Sequence, residues 1–341
     1  MKKNITLLFI VTFLLPSCST DFDLTSDWKD IAIVYGLLDK DANFNYVRIE
    51  KAYLDPKTSA LTIAQIPDSL YYDSLTVSLL EFNNGILTNT ITLERINGDV
   101  IGLTKDSGIF ASTPNILYRT NFTIDPLKHY KINISKSDNK ALVTAETNIV
   151  QDLKVTKPIG TQKISFYPTS NYTIEWKSAK NGKVYDLMFR FHYKEYLTNG
   201  TFLKDTAVDW VLFRNKISNG SDGGDNMEYS IISNDFYSFL STSIKDNANV
   251  YRVAGKVDLL FSCGGSEFYN YYQINLAQTG ITQGQAMPQY TNIENGLGIF
   301  SSRANKNYTD VELVPSTIDS IACINKTVHL NFLKSDGTPC Q

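Results

Sequence analysis

Apolar and polar residues alternate in short runs along most of this 341-residue chain, and turn signals close the runs. Successive side chains on a β-strand point to opposite faces, so a period of two marks a strand with one face buried. Residues 31–38 open as a continuous apolar run. Tyr46-Val47-Arg48-Ile49-Glu50 then alternates, as do Leu75-Thr76-Val77-Ser78-Leu79 and Thr90-Ile91-Thr92-Leu93-Glu94-Arg95-Ile96. Asn83-Asn84-Gly85 between the last two is a tight-turn signal. Tyr130-Lys131-Ile132-Asn133-Ile134 and Ala141-Leu142-Val143-Thr144-Ala145 extend the pattern. Strands at short spacing without βαβ alternation predict an antiparallel, immunoglobulin-like sandwich over residues 30–149.

A polar connector containing Pro158 and Gly160 follows. The β pattern resumes with Tyr172-Thr173-Ile174-Glu175-Trp176 and, after Lys180-Asn181-Gly182, with residues 184–193. There Tyr185, Leu187, Phe189, Phe191 and Tyr193 share one side, and Trp176 is expected to face them in a core. Residues 219–226 are a Gly/Asp-rich loop. One helix is expected near residues 234–244, capped by Asn234 or Asp235, with Phe236, Phe239, Leu240 and Ile244 at helical spacing. Strand character returns at 257–261 and 268–276, and 328–332 reads as the last strand. The fold class is therefore mainly β, with two β-rich domains. The second, over residues 150–341, is a β-sandwich with one docked helix. The length agrees with two cores rather than one.

The first residues have a different origin. Lys2 and Lys3 precede an apolar run at 5–15, and Ser17 stands directly before Cys18. That is the order of a secretory signal peptide, over residues 1–17. Its apolar run is too short to cross a bilayer, which needs about 20 residues. The cysteine makes it resemble a bacterial lipoprotein signal. The resemblance implies acylation of Cys18 with palmitate-like chains, residues 18–29 as a tether, and a membrane partner reached through lipid. Ser19, in place of an aspartate, implies the outer membrane, on the periplasmic or surface-exposed side; Asp21 and Asp23 form a short acidic tract broken by Phe22. With 32 Lys+Arg against 35 Asp+Glu and no basic patch, the composition excludes a nucleic-acid partner.

Three further cysteines remain. Cys323 and Cys340 flank a hairpin-like stretch at 328–337 and are a candidate disulfide, which would leave Cys263 as a buried thiol; Cys263 with Cys340 is the alternative. His129, His192 and His329 show no metal-ligand spacing. Neither His-Glu-x-x-His nor Gly-x-Ser-x-Gly occurs, and Cys263-Gly264-Gly265-Ser266 reads as a turn between strands. The expectation is a non-enzymatic binding or accessory protein with no cofactor and no metal; the alternative is a glycan-binding or glycan-active surface protein. Asp39, Asp41, Asn43 and Glu50 have calcium-loop spacing, but Phe44 stands where such a loop needs glycine. Asp222, Asp225 and Asn226 are a looser set. In a strand Tyr269 and Tyr271 share a face, a candidate aromatic platform for a glycan. Asp-Ser/Thr-aliphatic triplets at Ser69 and Thr206 resemble an O-glycosylation sequon, in surroundings that read as loops.

Three segments together carry a family resemblance: the lipobox, Ile33-Val34-Tyr35-Gly36-Leu37-Leu38 with Tyr46-Val47-Arg48-Ile49, and Asn292-Ile293-Glu294-Asn295-Gly296-Leu297-Gly298-Ile299-Phe300. The chain resembles Gram-negative lipoproteins with a domain of unknown function, often encoded near TonB-dependent receptors. The resemblance implies an extracytoplasmic β protein, accessory to an outer-membrane receptor or transporter, and carries over no catalytic residue. In the last segment, Asn295, Gly296 and Gly298 are a candidate ligand loop or a tucked bulge, because glycine permits positive φ and close backbone approach.

Overall fold

The computed structural model describes residues 31–52, 59–136, 141–277 and 290–340. Cys18 and its leader lie outside the described residues. The fold is a mainly β sandwich built on one long sheet. In spatial order this sheet runs β12 (Phe202–Ile217), β11 (Gly182–Leu197), β14 (Val250–Gly265), β15 (Gly296–Val311), β1 (Ala32–Asp39), β2 (Asn45–Lys51), β6 (Ile116–Thr120) and β5 (Glu94–Asn97). Its neighbours are antiparallel except at the centre, where β1 and β15 run parallel from Ala32 opposite Gly296 to Asp39 opposite Arg303. Strands from both halves of the sequence thus share one sheet.

Two smaller sheets cover it. One runs β4 (Ile86–Thr92), β3 (Thr76–Asn83), β7 (His129–Ser135), β8 (Ala141–Asn148); the other runs β13 (Asn226–Ile232), β10 (Asn171–Lys177), β9 (Lys154–Lys157). The first buries Val77, Ile132, Ile134 and Val143 against Val34, Ile49, Tyr118 and Phe300. The second joins Trp176 and Ile174 to Phe189, Phe191, Phe261 and Ala304. Trp176 stacks on Phe213 at 5.6 Å between ring centroids. Phe300 and Ala304 lie four residues apart on β15, hence on one side of it. Both cores therefore sit on the same face of the long sheet. Between them Ser302, fully buried, donates from Oγ to Asn148 O (2.7 Å) and accepts from Val150 N (2.9 Å). That seam lies where the sequence passes from its first half to its second.

Gly298 makes the central pairing possible. It has φ +104°, and a Cβ there would lie 2.0 Å from Val34 O. No other residue can bring β15 that close to β1.

Among the described residues five helices complete the fold: α1 (Ala60–Ala64), α2 (Pro67–Leu70), α3 (Ser233–Ser243), α4 (Ser266–Ala277) and α5 (Pro315–Cys323). Helix α3 is the expected one, and it buries Phe236, Tyr237 and Leu240. Its N-cap is Ile232, with no side-chain cap bond from Asn234 or Asp235.

Several local readings are corrected. Residues 268–276 belong to α4, not to a strand. Phe268 and Tyr272 stack as an i,i+4 pair at 6.3 Å, a contact that helical spacing makes and period-two alternation hides. Residues 263–265 end β14 and lead directly into that helix, so they are no turn between strands. The run 90–96 is two strands. At Leu93, whose N–H donates to Val77 O (2.8 Å), the chain passes from the small sheet to the long one. Residues 328–332 form a 3-10 turn, Val328–Leu330, followed by a single bridge from Phe332 to Arg252. Asn331 at φ +56° stops the extension. Thr206 lies within β12 opposite Tyr193, and Ser69 lies on α2, so neither surrounding is a loop.

The carboxy-terminal segment is held by two devices. Cys323 and Cys340 are bonded, with Cα atoms 5.3 Å apart. Arg252, 2% exposed, donates to Glu195 Oε1 (2.9 Å), Leu330 O (2.6 Å) and Lys245 O (2.9 Å). Burial alone would raise the Glu195 pKa; hydrogen bonds from Arg252 and Lys204 outweigh it and hold the carboxyl below its usual range.

Two measurements follow from this packing. Gly298→Ala is expected to cost more than about 2 kcal/mol, against about 1 kcal/mol for Gly85→Ala, whose added Cβ meets open space at φ +80°. Denaturant midpoints at unchanged m-value compare them. Because the folded pKa of Glu195 is lowered, its stabilisation is complete above the unfolded carboxylate pKa of about 4.3 and is lost as pH falls through the folded value. Glu195→Gln should therefore flatten part of the acid limb of the stability–pH curve.

A candidate ligand groove on the outer face of the long sheet

With both cores on one face, alternation turns the other face outward. On β1 this exposes Tyr35 and Leu37, with Asp39 at the strand end. On β2 it presents Tyr46 and Arg48, and on β15 Arg303 and Asn305. Helix α4 lies across this face. The Phe268 N–H donates to Ser301 Oγ (3.3 Å), and Ser301 Oγ donates to Glu267 Oε2 (3.2 Å). Asn215 Nδ2 donates to the Tyr272 hydroxyl (2.8 Å), and Tyr271 meets Tyr35 edge-on at 6.3 Å.

The helix divides the face into two adjoining hollows that share Leu37, Phe268 and Arg303. One, of about 250 Å³, adds Asp186, Arg214, Asn215 and Tyr272. The other, of about 440 Å³, adds Tyr35, Phe44, Tyr46, Arg48 and Tyr271. Together they form one groove in which three guanidinium groups alternate with aromatic rings.

The charges are unequally engaged. Asp39 Oδ2 faces Arg303 Nε at 3.4 Å and accepts from Asn305 Nδ2 at 3.3 Å, while its Oδ1 accepts from Asp41 N at 3.0 Å. Asp186 Oδ1 accepts from Asn215 N at 2.8 Å. Arg48 donates from one terminal nitrogen to Asn115 Oδ1 (3.0 Å), and its Nε is buried without a partner. Arg214 makes no ion pair among the described residues. Burial first, then the contact with Tyr271, pushes the Tyr35 phenol well above its usual range, so it stays a neutral hydrogen-bonding group. The groove offers recognition chemistry: planar cationic donors, hydroxyls and ring faces.

A further hollow of about 650 Å³ lies beside β11, β14 and β15, lined by His192, Lys194, Asp205, Lys256, Asp258 and Asp310. His192 Nε2 is 2.8 Å from Asp258 Oδ2. Among the described residues no group of three His, Cys, Asp or Glu side chains is arranged to hold a metal ion. Within the calcium-like spacing, Glu50 faces Lys105 (3.3 Å) while Asp39 faces Arg303, so the two carboxylates serve different contacts.

The residues singled out from sequence fall in different places. Tyr271 lines the groove, and Tyr269 does not. On a helix the two are about 200° apart, so they form no common platform. Asn295, Gly296 and Gly298 lie at the start of β15. The two glycines face Ala32 and Val34 in the parallel register, and none of the three lines either hollow. Cys263 packs beside Gly182 and Tyr185 at 3% exposure, and burial pushes its thiol up to about 12. Alternation on β1 and β2 would have given Tyr35, Tyr46 and Arg48. Nothing in the spacing joins them to Arg214 and Arg303.

Comparison with known families supplies one match. The profile of DUF4249, a domain of unknown function, matches residues 36–309. The chain belongs to that family. The DUF4249 span begins within β1 and ends within β15, so it contains α4 and the parallel pairing from Gly36 opposite Phe300 to Asp39 opposite Arg303. No curated protein shows detectable sequence similarity to the chain. Among solved structures, trypsin-activated alpha-2-macroglobulin from Escherichia coli overlaps 70% of this chain and 14% of its own, at 7% identity and a TM-score of 0.19. The Escherichia coli alpha-2-macroglobulin activated by porcine elastase overlaps 84% and 20%, at 8% identity and a TM-score of 0.18. The chain spans a fifth or less of those proteins, and overlaps this loose carry no argument about fold or function.

The burial of Cys263 gives the prediction for this region. In the native protein it should resist a thiol-specific reagent, and it should label fully once denaturant unfolds the chain. Rapid labelling of the native state would mean that the hollow opens onto the sulfur.

Proposed function

We propose that this DUF4249 protein is a lipid-anchored, extracytoplasmic binding protein, non-enzymatic, and accessory to an outer-membrane transport or surface system. The observation that carries the binding role is the groove beneath α4, where Arg48, Arg214 and Arg303 stand among Tyr35, Phe44 and Tyr271. Guanidinium groups beside ring faces suit a partner or ligand that combines anionic groups with flat or apolar parts. The order of Lys2, Lys3, the apolar run and Cys18 supports export and acylation. A second reading, recognition of a glycan, is favoured by the rings of Tyr35, Phe44 and Tyr271 along one hollow, since such rings stack on sugar faces.

The anchor is tested by labelling cells with a palmitate analogue. The wild-type chain should take up label and sediment with membranes, and Cys18→Ser should do neither. Binding is tested by crosslinking the intact lipoprotein in its own membranes and identifying what is recovered. Recovery of a receptor or transporter, lost in an Arg303→Glu, Tyr271→Ala variant, supports the accessory role. Recovery of the protein alone, together with retention on a glycan array that depends on Tyr271, supports the glycan reading. A hydrolytic activity abolished by one substitution would overturn both.

A further inference from the structure

The register of the long sheet shows what lies where the chain enters the fold. Ala32 stands opposite Lys51, and Ala52 N donates to Ile31 O (2.8 Å). On the next strand Val47 faces Tyr118, so β6 runs back toward Ile116 at the same end as Lys51. One strand further, Asn97 faces Ile116. Residues 98–115 therefore leave and re-enter the sheet at the end where β1 begins.

That segment is built into a cap. Ala111 N donates to Ala64 O (2.8 Å), and the Gln65 side chain reaches Gly108 O (3.4 Å), which fixes the loop against α1. Thr113 Oγ1 donates to Asp99 Oδ2 (2.8 Å), and Asn115 Nδ2 donates to Leu103 O (2.7 Å). Inside the cap is a satellite core of Leu70, Tyr71, Ala111 and Ile116. The larger apolar side chains are outside: Val100 is 82% exposed, Leu61 64%, Ile109 59%, Phe110 50%, and Ile66 and Ile101 each 45%. A cap that leaves more large apolar side chains out than it buries presents an interaction surface.

We propose that this apolar cap faces a lipid bilayer and rests its side chains in the headgroup region. The inference rests on the proposed acylation of Cys18. Only residues 19–30 then separate the lipid from Ile31, which at full extension spans about 40 Å and as a relaxed coil about 20 Å. The end of the sheet that receives the tether is the end held next to the membrane, and the cap is on it. Aliphatic and phenylalanine side chains suit the interface between headgroups and acyl chains. Within residues 60–70 and 98–115 the cation is Lys105, and it is engaged by Glu50 (3.3 Å) and the Tyr71 hydroxyl (3.2 Å). Contact through the cap is therefore led by apolar side chains, and protection should not require anionic lipid.

The test uses hydrogen exchange. The mature chain, with a histidine tag in place of Cys18, is held on phosphatidylcholine vesicles carrying a chelating lipid and compared with the same protein bound to soluble chelate. Exchange in residues 60–66 and 98–111 should slow roughly tenfold on vesicles, while the 219–226 loop is unchanged. An Ile109→Asp, Phe110→Asp variant should keep its denaturant midpoint and lose the protection. No slowing on vesicles overturns the proposal. So does slowing that also appears in solution as concentration rises, which assigns the cap to self-association. Slowing seen only in native membranes and not on protein-free vesicles assigns it to a protein partner and overturns it too. The artificial tether separates this result from the anchor. If palmitate labelling of the natural protein fails while vesicle protection holds, the anchor is overturned and the lipid affinity of the cap stands.

Discussion

The parallel pairing of β1 with β15 is the contact on which the rest of the molecule depends. It brings the opening strand of the first half against the closing long strand of the second, and it requires a backbone approach that only Gly298 permits. Ser302, two turns of the pleat further on, fixes the crossing between halves by bonding both Asn148 and Val150. With one sheet running under two cores, neither half can shift without breaking main-chain hydrogen bonds. The arrangement is more rigid than two sandwiches joined by a linker would be.

The same pairing determines which surface is available for recognition. Because Phe300 and Ala304 feed different cores from one side of β15, the opposite side of the whole sheet is left free. Helix α4 occupies part of that face and turns a flat sheet into a groove. The arginines there come from β2, β12 and β15, which are far apart in sequence and brought to one face only through strand order. The DUF4249 match over residues 36–309 takes in the groove residues from Leu37 to Asn305, while Tyr35 stands just before it.

Much of the strand content was legible because burial on one face writes itself as alternation. Tyr46 to Glu50, Thr76 to Leu79 and Val184 to Tyr193 all follow it. Failures occurred where two periods fit the same residues. In residues 268–272 aromatic side chains stand at nearly every position, so spacing does not separate strand from helix, and only the Phe268–Tyr272 stack decides. Residues 328–332 alternate, yet Asn331 takes a left-handed conformation and the carbonyl of Leu330 is used by the Arg252 guanidinium. At Leu93 the pattern continues while the chain changes sheets, which alternation cannot report. The groove was half legible, since Tyr35, Tyr46 and Arg48 follow from strand parity, but strand order across the halves is a long-range property absent from local pattern.

The parallel pair also sets an order of events during synthesis. β1 emerges well before the strand it must pair with, which lies more than 250 residues later. At ordinary elongation rates that gap is on the order of tens of seconds. Throughout it, one edge of β1 carries unpaired N–H and C=O groups, with apolar side chains beside them, in the form most prone to wrong pairing. A loop this long also makes the closing contact slow to find. The first half must therefore wait, incomplete, for β15, and its safe folding depends on whatever shields that edge in the interval.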